Sequence, residues 1–213
     1  MSEVTTKNSR LDRKARALAN NKNRRTFRAP EEIEAERALL IRVQSDDIGA
    51  FEELVNSYQS RIYWIAYNLV GSSEDAEDIA QEAFLRVHRN IERFDLRFNF
   101  YTWLYRIVVN LSIDRLRRRS KNRALSIDEF PSDPAAMSGG PDADIRNKEL
   151  GQRIERVLDS LPAKYKAVIV LRDMQELSCD AIAEIIGCTP ATTRWRLHKA
   201  RSLFRDKWQC SEI

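Results

Sequence analysis

From Arg37 to Arg119 apolar residues recur three and four positions apart, the spacing that gathers them on one side of a helix. Phe51, Leu54, Tyr58, Ile62, Ile65 and Leu69 form one stripe, opened by a candidate cap at Asp46 or Asp47 and stopped at Gly71. Ser72 or Ser73 can cap a second helix whose stripe is Ala76, Ile79, Ala80, Ala83, Val87 and Ile91. Its first-turn acids Glu74, Asp75, Glu77 and Asp78 suit the positive end of a helix dipole. A third helix is expected from near Asn99 through Tyr101 to Arg119. Periodicity fades between 120 and 146, then returns at Leu150, Ile154, Val157 and Leu158 and restarts after Pro162. No strand pattern competes, so the chain is expected to be all-α.

The last stretch reads as two helices around a tight turn. Ser178 caps the first and Gly187 ends it; Thr189 caps the second, with Pro190 at its first position. Ala183 and Gly187, four residues apart, supply the close packing and the turn of a helix-turn-helix. Turning the second helix by 100° per residue gathers Thr193, Leu197, Ala200, Phe204 and Trp208 inward. Outward go Arg194, Trp195, His198, Lys199, Ser202 and Arg205, with Arg196 beside them. Cations around an exposed indole suit a DNA major groove, where phosphates fix position and base edges give sequence. The plain alternative is a solvated cationic face.

Charge sharpens the division. The net charge of +4 conceals nine Lys/Arg against two acids in residues 1–28, seven against one in 106–123, and five acids without a base in 74–82. Such segregation points to one anionic and one basic partner. Residues 126–144 hold three of the six prolines, two of the six glycines and five acids, which marks an acidic linker. The expected domains are therefore a flexible basic arm (1–37), a helical block (38–119), the linker (120–146) and a second helical block (147–213). Three cysteines without CxxC spacing and two separated histidines give no metal or disulfide framework, and no apolar run has the length of a membrane span. No metal or cofactor is expected, and the reading is a soluble protein of a reducing cytoplasm.

Five aromatic residues fall within positions 98–105. Leu104, Ile107, Val108, Val109, Leu111 and Leu116 form the apolar arc of the helix that follows, with Tyr101 and Tyr105 on its flank. The opposite arc carries Thr102, Trp103, Arg106, Asn110, Asp114 and Arg117, and the preceding loop offers Phe98 and Asn99. A ring among arginines can stack on bases while the cations hold phosphates, so single-stranded DNA is the ligand this arc suits. Burial of Trp103 against a neighbouring helix is the competing reading.

In order, DAEDIAQEAFLRVHRNIERF, FYTWLYRIVVNLSIDRLRRR, LPAKYKAVIVLRDMQELSCDAIAEIIG and RLHKAR resemble a bacterial extracytoplasmic-function (ECF) sigma factor of the sigma-70 family across about residues 38–208. The resemblance implies a first domain, sigma region 2, that binds the RNA polymerase clamp and melts the −10 element. It implies a second, region 4, that reads the −35 element. Asp78, Gln81, Glu82 and Leu85 would then grip the β′ clamp helices, with the β subunit as a further contact and an anti-sigma factor as a regulator. The linker would thread towards the active-site and RNA-exit region, and the chain would have no active site of its own. Trp195, Thr193 and the loop FDLRFN depart from the commoner family residues, so promoter preferences are not carried over. A free-standing helix-turn-helix regulator is the main rival. An enzyme built on Asp75, Asp78 and Glu82 is a remoter one, because helical spacing spreads those acids over an open face without a histidine.

Overall fold

The computed structural model describes residues 30–125 and 143–210, with side-chain surroundings for 31–120 and 149–210. Among the described residues every regular element is helical. The first block holds α1 (Pro30–Gln44), α2 (Ile48–Val70), α3 (Ser73–Asn90), a 3-10 turn (Ile91–Arg93) and α4 (Phe100–Leu125). The second holds α5 (Ala143–Asp159), α6 (Ala163–Ile169) running into a π turn (Val170–Met174), α7 (Cys179–Ile186) and α8 (Pro190–Cys210).

The caps explain the boundaries. Asp47, not Asp46, starts α2, its carboxylate accepting from the Ala50 amide at 3.0 Å, while Ser72 starts α3 by accepting from the Asp75 amide at 3.3 Å. Gly71 ends α2 in the left-handed region at φ 71°, its amide donating to the Tyr67 carbonyl. Two expectations shift. The composition extends the basic arm to residue 37, but α1 begins at Pro30, where proline suits a first turn and Glu31 and Glu32 suit the dipole; residues 1–29 lie outside the described residues. The linker narrows at both ends because α4 continues to Leu125 and α5 starts at Ala143; residues 126–142 also lie outside. Pro162 takes the cap position of α6.

Leu54, Ile62, Ile65 and Leu69 of α2, Ala83 and Val87 of α3, and Phe100, Leu104 and Val108 of α4 are fully buried together. All but Phe100 come from a stripe read in the sequence, with Phe51 and Ala80 only half-buried at its edge. In the second block Leu158, Leu161, Tyr165, Ile169 and Ala200 close a smaller core. Arg153 of α5 lies 4.0 Å over the Trp208 ring and donates to the Trp208 carbonyl, tying α5 to the far end of α8. The two cores are not independent: Val168, Leu171, Ile182 and Ile185 of the second block join the larger cluster of the first.

Two substitutions test these joints. A Cβ on Gly71 would add left-handed backbone strain and meet the Asp159 carboxylate at 3.1 Å. Gly71→Ala should therefore cost about 1–2 kcal/mol, read as a lower urea midpoint with unchanged slope. Asp47 is held below the usual carboxylate range by the Ala50 amide and by Arg42. A depressed folded pKa gives stability that is present above the ordinary aspartate range and lost as pH falls through the lowered value. The stability gap between wild type and Asp47→Ala should thus be full at neutral pH and close in acid, measured by thermal melts across that window.

Candidate nucleic-acid interface

Two surfaces were expected to meet DNA. The helix-turn-helix forms as read: the Ser178 hydroxyl accepts from the Ala181 amide at 3.1 Å, and Gly187 (φ 66°) turns the chain with its amide on the Ala183 carbonyl. The Thr189 hydroxyl then accepts from the Thr192 amide at 3.1 Å. Thr193, Leu197 and Ala200 are buried and anchor α8 against α6 and α7. The hydroxyl of buried Thr193 sits 3.2 Å from the Cys188 thiol, which satisfies a polar group where an aliphatic one would otherwise pack.

The outward face is as projected. Arg194, Trp195, His198, Lys199 and Arg205 are exposed, while Arg196 and Ser202 lie half-buried at its margins. Trp195 is 60% exposed, an indole held near Tyr165 at 6.3 Å between ring centroids. Arg194 reaches Asp180 at only 3.7 Å, an open pair that water or phosphate can replace. Arg201, on the same helix, is instead committed to Asp173 through two hydrogen bonds and so acts as a brace.

The arc on α4 is more divided than its periodicity suggested. Phe98 (68% exposed), Asn99, Arg106, Asn110, Asp114 and Arg117 reach solvent. Thr102 does not: it is 7% exposed, and its hydroxyl has no hydrogen-bond partner in the structure. Trp103 is half-buried, stacked on Phe94 at 4.9 Å and 27° and edge-on to Phe100 at 5.8 Å. For Trp103 the reason lies in the chain before α4. The 3-10 turn and loop fold Phe94 back over the first turn of the helix, held there by the Gln44 side chain donating to the Ile91 and Phe94 carbonyls at 2.8 and 2.7 Å. Helical projection alone cannot see such a cover. Trp103 thus forms one wall of an aromatic stack, and Phe98 and Asn99 in the preceding loop stay exposed.

Arg106 is exposed but engaged, donating through Nε at 3.1 Å and through Nη2 to the Glu184 carbonyl at the end of α7. Arg117 pairs loosely with Asp114 at 3.6 Å. Arg97 clamps Asp95, whose carboxyl it holds below the usual range.

The acidic helix α3 presents Asp78, Gln81 and Leu85 outward, with Leu85 51% exposed, and Glu82 half-buried in a 2.8 Å pair with Arg86. Sequence reasoning missed that α4 partly neutralises this ridge: Arg115 reaches both Asp75 and Asp78 at 2.8 Å, and Arg119 reaches Asp75 at 3.6 Å. The signal was available in the basic run of α4, which faces the acidic run once the two helices pack.

Among the described residues no group of three or more His, Cys, Asp or Glu could hold a metal ion, and no helix is long and apolar enough to cross a membrane. Comparison with known proteins gives the family. Residues 54–122 match sigma-70 region 2 and residues 151–203 match sigma-70 region 4. The chain is 36% identical to the ECF RNA polymerase sigma factor SigW of Bacillus subtilis over 172 residues, 78% of this chain and 92% of SigW. It is 33% identical to the ECF RNA polymerase sigma-E factor of Escherichia coli K12 over 181 residues, 82% and 94% of the two chains. Among solved structures it shares its fold with CnrH in complex with the cytosolic domain of CnrY, at TM-score 0.63 and 22% identity over 83% of this chain and 98% of that one. The sigma factor RpoE in complex with the anti-sigma factor NepR from Bartonella quintana matches at TM-score 0.61 and 22% identity, over 75% and 96%. With both sigma-70 regions matched and these relatives aligned over most of both chains, the chain belongs to the extracytoplasmic-function sigma factors of the sigma-70 family.

Proposed function

We propose that the chain binds core RNA polymerase and brings it to promoters, reading a −35 element as duplex through α8 and a −10 element as single-stranded non-template DNA through residues 94–99 and the exposed arc of α4. The observation that carries this is the pairing of two unlike surfaces on one chain. A convex helix with open cations suits a groove, while an aromatic stack beside an exposed Phe98 and Asn99 suits extruded bases. Arg194, Trp195, Lys199 and Arg205 contact the −35 duplex, with His198, Arg196 and Ser202 at its edge. Asn110, Arg106 and Arg117 hold the single strand, and Thr102 and Trp103 support the stack from within.

Asp78, Gln81, Glu82 and Leu85 form the surface for a basic partner, the β′ clamp helices, and the second block meets the β subunit. CnrH is bound to the cytosolic domain of CnrY and RpoE to the anti-sigma factor NepR in their solved structures, and an anti-sigma factor is proposed as a partner here. The site of action is the cytoplasm, at the nucleoid. The chain contributes recognition, and the polymerase contributes catalysis.

A gel-shift assay separates this from a free-standing regulator. Promoter duplex should move only when core polymerase and the chain are both present, whereas a regulator shifts its operator alone. In the same assay Arg194→Ala or Lys199→Ala should weaken the ternary complex by about 1–3 kcal/mol if the lost contact is bidentate to a base. Wild-type affinity in both would place those side chains off the DNA.

A further inference from the structure

The two blocks are fastened to each other at two points, and the chemistry of both points is the same. At the first, Lys166 of α6 is 3% exposed and donates from Nζ to the Leu69 carbonyl at 2.6 Å and to Asp159 at 2.7 Å. The Leu69 carbonyl belongs to the last turn of α2, where carbonyls have no partner within the helix and the dipole is negative. Tyr67 of α2 adds a long contact to Glu155 of α5 at 3.5 Å, and the Asp159 carboxylate closes over Gly71. At the second, Arg106 of α4 donates twice to the Glu184 carbonyl in the last turn of α7. Each block thus offers a cation that caps a helix C-terminus of the other. Between the two caps runs the shared apolar contact of Ile182 and Ile185 with the first block.

Burial lowers the Lys166 pKa, so carrying a charge there is costly and the arrangement is not one that packing alone would select. A buried charge of this kind adds little net stability and is best understood as fixing how two surfaces meet. Apart, the Lys166 ammonium and the end of α2 would both be solvated, so the contact forms and breaks at little net cost. Arg106 is the informative member, because its guanidinium is one of the cations facing the proposed single strand and is here occupied by a neutral carbonyl. A phosphate is a stronger partner for guanidinium than a carbonyl is.

We propose that reciprocal capping by Lys166 and Arg106 is a latch that holds the two blocks docked in the free chain and masks the single-strand face, and that a phosphodiester competes with the Glu184 carbonyl to release it. The masking half rests on the reading of α4 as the single-strand face; the docking half does not. Free chain therefore binds single strands weakly, and its apparent affinity falls by the fraction of molecules that are open.

The test uses the full chain without polymerase. Lys166→Glu sets a carboxylate against the Leu69 carbonyl, Asp159 and Glu155. Asp159→Arg acts from a half-exposed position and keeps the test alive if the buried change disturbs folding. Small-angle scattering should show the radius of gyration rising by about 3 Å or more in both variants, since undocked blocks exceed the compact-chain scaling. Anisotropy with a fluorescent single-stranded DNA pool of randomised sequence should show affinity rising by about tenfold or more. An unchanged radius in variants whose circular dichroism is native would overturn the latch. A larger radius with unchanged affinity would keep the docking contact and overturn the masking.

Discussion

Trp103→Ala should destabilise the first block by about 3 kcal/mol, the range for removing a large packed ring, and this loss should appear without any DNA in the tube. The indole stacks on Phe94 and meets Phe100, which in turn is fully buried and lies edge-on to Tyr58 at 5.4 Å. Removing it leaves the Phe94 loop without its floor. Promoter opening should fall as well, but as a consequence of a displaced loop. Trp103→Phe keeps a ring in the stack, so it should recover most of the stability, and any opening defect that persists then measures the indole's own part. Denaturant melts of the two variants, with permanganate footprinting of the bubble, separate these terms. Equal stability of Trp103→Ala and wild type would mean that the stack does not support the helix.

The second large effect belongs to the acidic ridge. Double charge reversal, Asp78→Lys with Glu82→Lys, should lower affinity for core polymerase roughly a hundredfold, because like charges brought together at an interface cost several kcal/mol. Asp78 is 62% exposed at its side chain and shares Arg115 with the more buried Asp75, so the first block keeps an Arg115 contact after the change. The variant should remain folded, and its defect should ease at high salt, since exposed charges are screened. Co-purification with core at low and high salt reads both. Full recovery of polymerase at low salt would remove the ridge from the interface.

The caps, the stripes and the helix-turn-helix were legible because each depends on residues within one or two helical turns. Asp47, Ser72, Gly71, Ser178, Gly187 and Thr189 all act on neighbours in sequence. Thr102, Trp103, Arg106 and Lys166 were not, and for one reason: their surroundings come from residues distant along the chain. Phe94 covers Trp103, with Gln44, in another helix, holding the loop down. Lys166 sits in the run YKAVIVL, where a lone lysine among apolar residues hints at burial but names no acceptor. The acidic linker, which the composition singled out, lies largely outside the described residues.

The α8 face and the α4 arc also differ in kind. Register alone fixes which α8 residues point outward, so the set proposed for the −35 element could be projected. The set proposed for the −10 element depends on how the loop 94–99 lies, which the sequence pattern does not encode.

The measurement that bears most directly on the whole account is transcription from genomic DNA by purified core polymerase with and without this chain, read by sequencing RNA 5′ ends. The account requires a discrete set of new start sites that appear only with the chain and share sequence at the −35 and −10 positions. Start sites identical in both reactions, with the chain binding duplex DNA unaided, would contradict it.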